Sequence, residues 1–147
     1  MMVNPEYFMR FALAEAKKGD APYGAILVKN DLIVAVAHNT VKRDSDPSAH
    51  AEINVIRSYT KELKNISLAN TTIYTTGEPC PMCTSACIWS GISEIIYAVS
   101  ILDLIARNHC QINLSCEEII SKSFRNIKVT KGVLRKECLQ LLPVRRV

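Results

Sequence analysis

Two short stretches constrain this chain more than anything else in it: "DPSAHAEINVIR" at 46–57 and "EPCPMC" at 78–83. Each reads as the start of a helix, and each carries groups that a hydrophobic core has no use for. In the first, Asp46 is a good N-cap and Pro47 is pre-set for a first helical turn, with Ile53, Ile56 and Leu63 as the apolar stripe. That places His50 in the first turn and Glu52 two residues on. In the second, Pro79 and Pro81 restrict the backbone around Cys80, and the helix N-terminus favours thiolate over thiol at Cys80 and Cys83.

Read together, the stretches bring three soft or borderline ligands, His50, Cys80 and Cys83, to one tetrahedral ion, and zinc is the natural occupant. Three protein ligands leave a fourth position for water, the arrangement of a catalytic rather than a structural site. Zinc lowers the pKa of such a water towards ~7. Glu52 is close enough to take its proton without joining the coordination shell, which makes it the candidate proton shuttle. Alone, a Cys-x2-Cys is as readily a structural half-site or a pair of buried thiols, and a His-x-Glu at a helix start is usually polar surface. Their joint occurrence around a Pro-Cys-Pro turn points to one site. Cys87, one turn after Cys83, reads as a small buried hydrophobe rather than a ligand. His109 reads as a surface loop residue rather than a ligand, with Cys110 beside it, and His38 as structural.

The rest of the pattern is α/β. "NPEYFMRFALAEAKKG" is an amphipathic helix with Asn4 as cap and Pro5 at its first position. "YGAILVKNDLIVAVAHN" is an antiparallel hairpin turning at Asn30-Asp31. "TTIYTT" and "EIIYAVS" are strands on either side of the helix "PMCTSACIWSG", an alternation that predicts parallel pairing with helices on both faces. After Ser100 the periodicity weakens. A short helix plus loop covers "ILDLIARNHCQIN", a Ser115 to Glu118 capping box opens "SCEEIISKSF", and "NIKVTKGVLRKECLQLL" reads as a strand and a terminal helix stopped by Pro143.

With 147 residues, 48% of them apolar, residues 1–147 are expected to form one domain. No apolar run approaches the ~18 residues of a membrane span, and the first helix is too polar for a signal peptide, so the expectation is a soluble cytoplasmic protein with no membrane partner. The six cysteines then read as reduced thiols. The net charge of +4 is uneven: seven basic residues against Glu137 make residues 125–147 +6 and the rest −2. This is either a phosphate-binding footprint or, more simply, a solvated helix face with a frayed basic tail.

"HAE" with "PCPMC" resembles the zinc-dependent cytidine and nucleobase deaminase superfamily, with its His-x-Glu and Pro-Cys-x-x-Cys signature. The resemblance runs from the hairpin through "EIIYAVS", and "KGVLRKECLQLL" is similar to the end of tRNA adenosine deaminases. It implies a three-layer α/β/α sandwich on a mixed five-stranded sheet, one zinc ion per subunit, hydrolytic deamination and a homodimer. By the same resemblance Asn39 and Tyr23 stand where purine deaminases of this group hold the base. Trp89 and Asp103 stand where bacterial guanine deaminases carry pocket residues, the alternatives being core packing for Trp89 and a helix cap for Asp103. Glu78 either orients substrate or caps a helix, and Ala51, between the ligand and the acid, is added as a substrate contact. The expected substrate is a free purine-like base, guanine or a related aminated heterocycle. The alternatives are an adenosine in tRNA, with the basic C-terminal segment on phosphates, or a pyrimidine base. Two departures stand out: "LLPVRRV" replaces the aromatic tail of the guanine enzymes, and the small-residue loop of tRNA adenosine deaminases has no counterpart in residues 101–120.

Overall fold

The computed structural model describes residues 3–146. Its elements run α1 (Pro5–Ala16), β1 (Gly24–Lys29), β2 (Leu32–His38), α2 (Ala51–Leu63), β3 (Thr72–Gly77), α3 (Pro81–Ser90), β4 (Glu94–Val99), α4 (Ile101–Ala106), α5 (Cys116–Ser121), β5 (Lys128–Lys131) and α6 (Arg135–Leu139). The sheet order is β2-β1-β3-β4-β5. β1 pairs antiparallel with both β2 and β3, while β3–β4 and β4–β5 are parallel. The sheet is therefore mixed, as expected.

Period-2 alternation along the strands separates two cores. Ala25, Leu27, Ile73, Ile95 and Tyr97 face α2, α3 and α5, meeting Val55, Tyr59, Cys87, Ile88 and Cys116. Ile26, Val28, Tyr74, Ile96 and Ala98 face α1, α4 and α6, meeting Phe8, Met9, Ala12, Leu104 and Cys138. Three layers result. The middle strands are buried on both faces, and β2 and β5 close the edges with half-exposed residues.

Several local readings hold for their stated reasons. Asn4 accepts from the Glu6 N–H ahead of Pro5, and Asn30 and Asp31 both take positive φ in the hairpin turn. Gly24 is required where β1 passes under α1, because a Cβ there would lie 2.2 Å from the Ala12 carbonyl oxygen. All six cysteines are free thiols. Among the described residues no helix is long and apolar enough to cross a membrane.

Other readings change. Asp46 does not cap α2: its carboxylate accepts from the N–H and the hydroxyl of Ser48, a local turn that takes the place of the first helical residues. The helix begins only at Ala51, with His50 itself at the N-cap. At α5 the Ser115 hydroxyl accepts from the Glu118 N–H, which is one half of the expected box. The reciprocal box is at α4, where Ser100 accepts from the Asp103 N–H and the Asp103 carboxylate from the Ser100 N–H. The terminal helix shrinks to Arg135–Leu139, because Gly132 and Leu134 both take positive φ and delay its start.

Candidate metal centre and substrate cavity

His50 and Cys80 are the N-cap residues of α2 and α3, and neither side chain is used to cap its own helix. Both are thus free to point at the space between the two helix N-termini. His50 Nδ1 lies 3.7 Å from Cys80 Sγ and 3.6 Å from Cys83 Sγ, and the three donors all lie within 4.8 Å of one another. Two positive helix ends converge on two sulfurs, which favours the thiolate form a metal takes.

The titration behaviour follows from that crowding. The Cys83 thiol, and after it His50, hold Cys80 down at about 4, as a thiolate. The same hydrogen bond, and burial after it, push the Cys83 thiol up. The Cys80 sulfur raises His50 in turn. Glu52 is 6% exposed, and burial, with the Cys80 thiolate beside it, lifts its carboxyl to about 7. One imidazole nitrogen and two sulfurs on preformed helix ends suit zinc in donor chemistry and in number. Cys87 is fully buried in the core, as expected of a hydrophobe.

A cavity of about 250 Å³ opens beside the three donors. His50, Glu52 and Cys80 line it together with Tyr23, Asn39, Leu104, His109 and Arg145. The Tyr23 ring lies over Gly77, where even a Cβ would come within 3.1 Å of it. Burial pushes the Tyr23 phenol up to about 12, so it stays protonated. Asn39 Oδ1 accepts from the Val41 N–H at 3.1 Å, which fixes its amide at the cavity wall.

The remaining candidates divide. Glu78 reaches the cavity but is occupied structurally: one carboxylate oxygen accepts from the Ile101 N–H at 2.9 Å and the other from the Cys116 N–H at 2.8 Å. It caps α4 and α5 together. Ala51 packs its methyl into the core and does not line the cavity; its backbone N–H, at the first helical position, is an orphan donor. Trp89 does not line the cavity. It lies nine residues beyond Cys80, roughly 13 Å along the helix axis, and is 73% exposed against Phe124. Asp103 is likewise outside it: besides capping α4, its carboxylate takes a two-pronged pair from Arg135 at 2.8 and 2.9 Å, which holds its pKa near 2. The capping alternative is the one the geometry adopts.

His109 corrects the reading of a surface loop residue. It is 4% exposed and lines the cavity. Its Nε2 donates to the Pro143 carbonyl at 2.9 Å, leaving Nδ1 to accept from the Tyr23 hydroxyl at 3.5 Å. His38 is structural, bridging Glu15 and Arg43. The basic C-terminal segment is also different from a frayed tail. Lys128, Lys131 and Arg135 pair with Glu94, Glu117 and Asp103, and Arg125 donates to the Ile88 carbonyl. Much of the positive charge is thereby matched inside the fold. Lys42 and Arg145, both at the cavity, have no carboxylate partner within ion-pair distance among the described residues. No local pattern marks His109, Lys42 or Arg145 as site residues; only the charge excess of residues 125–147 pointed towards the last of them.

Fold and site together define a zinc-dependent deaminase. The chain belongs to the cytidine and deoxycytidylate deaminase family, whose zinc-binding region matches residues 2–99. It is 40% identical over 145 residues to a tRNA-specific adenosine deaminase of Buchnera aphidicola subsp. Baizongia pistaciae, covering 95% of this chain and 86% of the relative. It is 37% identical over 106 residues to a guanine deaminase of Bacillus subtilis, covering 69% and 68%. A solved guanine deaminase from Nitrosomonas europaea superposes with a TM-score of 0.82 at 27% identity, over 97% of this chain and 84% of that one.

Proposed function

We propose that this chain deaminates an adenosine presented by tRNA, giving inosine and ammonia. The observation that carries the reading is the extent of similarity. The match to the tRNA-specific enzyme takes in 95% of the chain, whereas the match to the guanine deaminase of Bacillus subtilis takes in 69%. Lys42 and Arg145 at the cavity, without carboxylate partners among the described residues, suit a substrate that brings phosphates with it. This displaces guanine as the favoured substrate, since two of the residues that pointed to it, Trp89 and Asp103, are not at the cavity.

In this reading His50, Cys80 and Cys83 hold the zinc ion. A zinc ion held there would supply the Lewis acidity that makes water a nucleophile near neutral pH. Glu52 takes the proton from the attacking water and delivers it to the ring nitrogen N1 as the C6–O bond forms, then serves the departing amine at C6. Water and adenosine become inosine and ammonia, and the carboxylate ends as it began. Its burial suits the task, because a carboxyl lifted to about 7 both accepts and releases a proton near neutrality. Tyr23 and Asn39 hold the base. A base reaches this recess only when turned out of a stack, as a loop nucleotide is.

A purine-base deaminase is the second reading, favoured by the close superposition on the Nitrosomonas enzyme. Ammonia release from an anticodon stem-loop bearing adenosine, set against release from free guanine, separates the two. Turnover of the stem-loop supports the first, and turnover of guanine alone overturns it. We read the active form as a homodimer, for which light scattering should give twice the chain mass of 16.4 kDa.

A further inference from the structure

The C-terminal residues after α6 are bound to the turn that follows α4 by hydrogen bonds from three consecutive residues. Arg107 Nη1 donates to the Leu142 carbonyl at 2.7 Å, Asn108 Nδ2 to the Arg145 carbonyl at 2.8 Å, and His109 Nε2 to the Pro143 carbonyl at 2.9 Å. The Arg145 N–H returns one to the Arg107 carbonyl at 2.9 Å. Both polar groups of Arg145's own backbone are therefore engaged. Asn108 takes φ 61°, the left-handed conformation that ends α4 and turns the chain towards the strap. Arg145 itself is exposed, and its side chain lines the cavity mouth.

His109 differs from its two neighbours in reaching both ways. Its other ring nitrogen meets the hydroxyl of Tyr23, whose ring forms the cavity wall over Gly77. A buried imidazole with both nitrogens engaged links the base-binding wall to the strap. We infer that His109 is a positioning residue: it latches residues 142–145 against the cavity so that Arg145 stands at the mouth as the contact for a phosphate of the substrate's RNA backbone. The inference rests on the tRNA reading above and adds to it how residues 142–145 border the cavity. With its backbone held, Arg145 carries a planar, always-charged donor at the cavity. It would anchor the flipped nucleotide without touching the chemistry.

The test uses the zinc-loaded full chain and an anticodon stem-loop carrying adenosine, with kcat and KM measured separately and binding followed by fluorescence anisotropy from low to high salt. Arg145→Ala should raise KM about tenfold with a far smaller change in kcat, and make the slope of log K against log salt shallower by about 0.7, the value of one single-stranded phosphate contact. His109→Ala should act in the same direction. His109→Gln should recover most of the loss, because its amide nitrogen can still donate to the Pro143 carbonyl. The double variant should be no worse than Arg145→Ala alone, as expected when one residue acts through the other. Lys61→Ala, at the far end of α2 from the metal centre, is the control for charge alone. Wild-type affinity and slope in Arg145→Ala would overturn the inference, as would a His109→Ala defect confined to kcat or one unrelieved by Gln. A wild-type chain inactive on the stem-loop would overturn the tRNA reading and the inference together, whereas an active wild type with normal variants overturns the inference alone.

Discussion

Residues 20–99, through the end of β4, and residues 100–146 contribute to one cavity by different means. The first side is held by local rules: strand alternation, a two-residue turn, prolines and two helix N-termini that deliver His50 and Cys80. The second is held by long-range polar contacts, with Glu78 capping two helices, Arg135 on Asp103 and the strap on residues 107–109. The metal-bearing side places the reacting groups together with Tyr23 and Asn39, and the other adds Leu104, His109 and Arg145 to the lining.

The largest effect should come from the first side. Glu52→Gln should lower turnover by about 10²–10⁴-fold while zinc content stays near that of wild type, because the carboxylate moves a proton and does not hold the ion. Atomic absorption beside an ammonia assay checks both halves. Loss of zinc in that variant would make Glu52 part of the metal shell and erase the division between placing and reacting.

Next is Glu78→Gln. An amide replaces one of two accepting oxygens, so one buried N–H, of Ile101 or Cys116, loses its partner at a cost of about 1–3 kcal/mol. Urea unfolding should show the loss, with zinc still bound to the metal-bearing side. Unchanged stability would mean that the second side does not depend on its caps.

This is also where the limits of the sequence are plainest. The metal centre was legible because every determinant of it lies within a few residues of "HAE" and "PCPMC". The sheet was legible because its strands alternate or are continuously apolar. The exceptions were set by competition: Asp46 found Ser48 before it could cap α2. On the second side the partners are far apart in the chain, 34 residues for His109 with Pro143 and 32 for Asp103 with Arg135. No periodicity encodes such pairs. His109 therefore read as a surface loop residue, and Asp103 could be a cap or a substrate contact until Arg135 was seen beside it.

A smaller effect belongs to that pair. Arg135 holds the Asp103 pKa near 2, below its ordinary 3.8, so the folded state favours the ionised carboxylate. Its stabilisation should be complete above pH 3.8 and be lost as pH falls from there towards 2. Arg135→Ala should flatten the stability profile in that window: its cost should be largest above pH 3.8, about 1 kcal/mol or less for a half-exposed pair, and should vanish as pH falls towards 2. An equal loss of stability at pH 3 and pH 7 would contradict this. The smallest effect is expected for Trp89→Ala. Its side chain is away from the cavity in this chain, and KM for the substrate should stay within about twofold of wild type. A large rise would put Trp89 at a substrate site that the isolated chain does not form.

The most direct test of the account is inosine formation by the zinc-loaded protein on an anticodon stem-loop carrying adenosine, with free guanine in parallel and Glu52→Gln as the blank. Inosine in the stem-loop that vanishes in the variant, with guanine untouched, is the predicted result. Guanine turnover with an unmodified stem-loop would contradict it and return the base selectivity to Tyr23 and Asn39 alone.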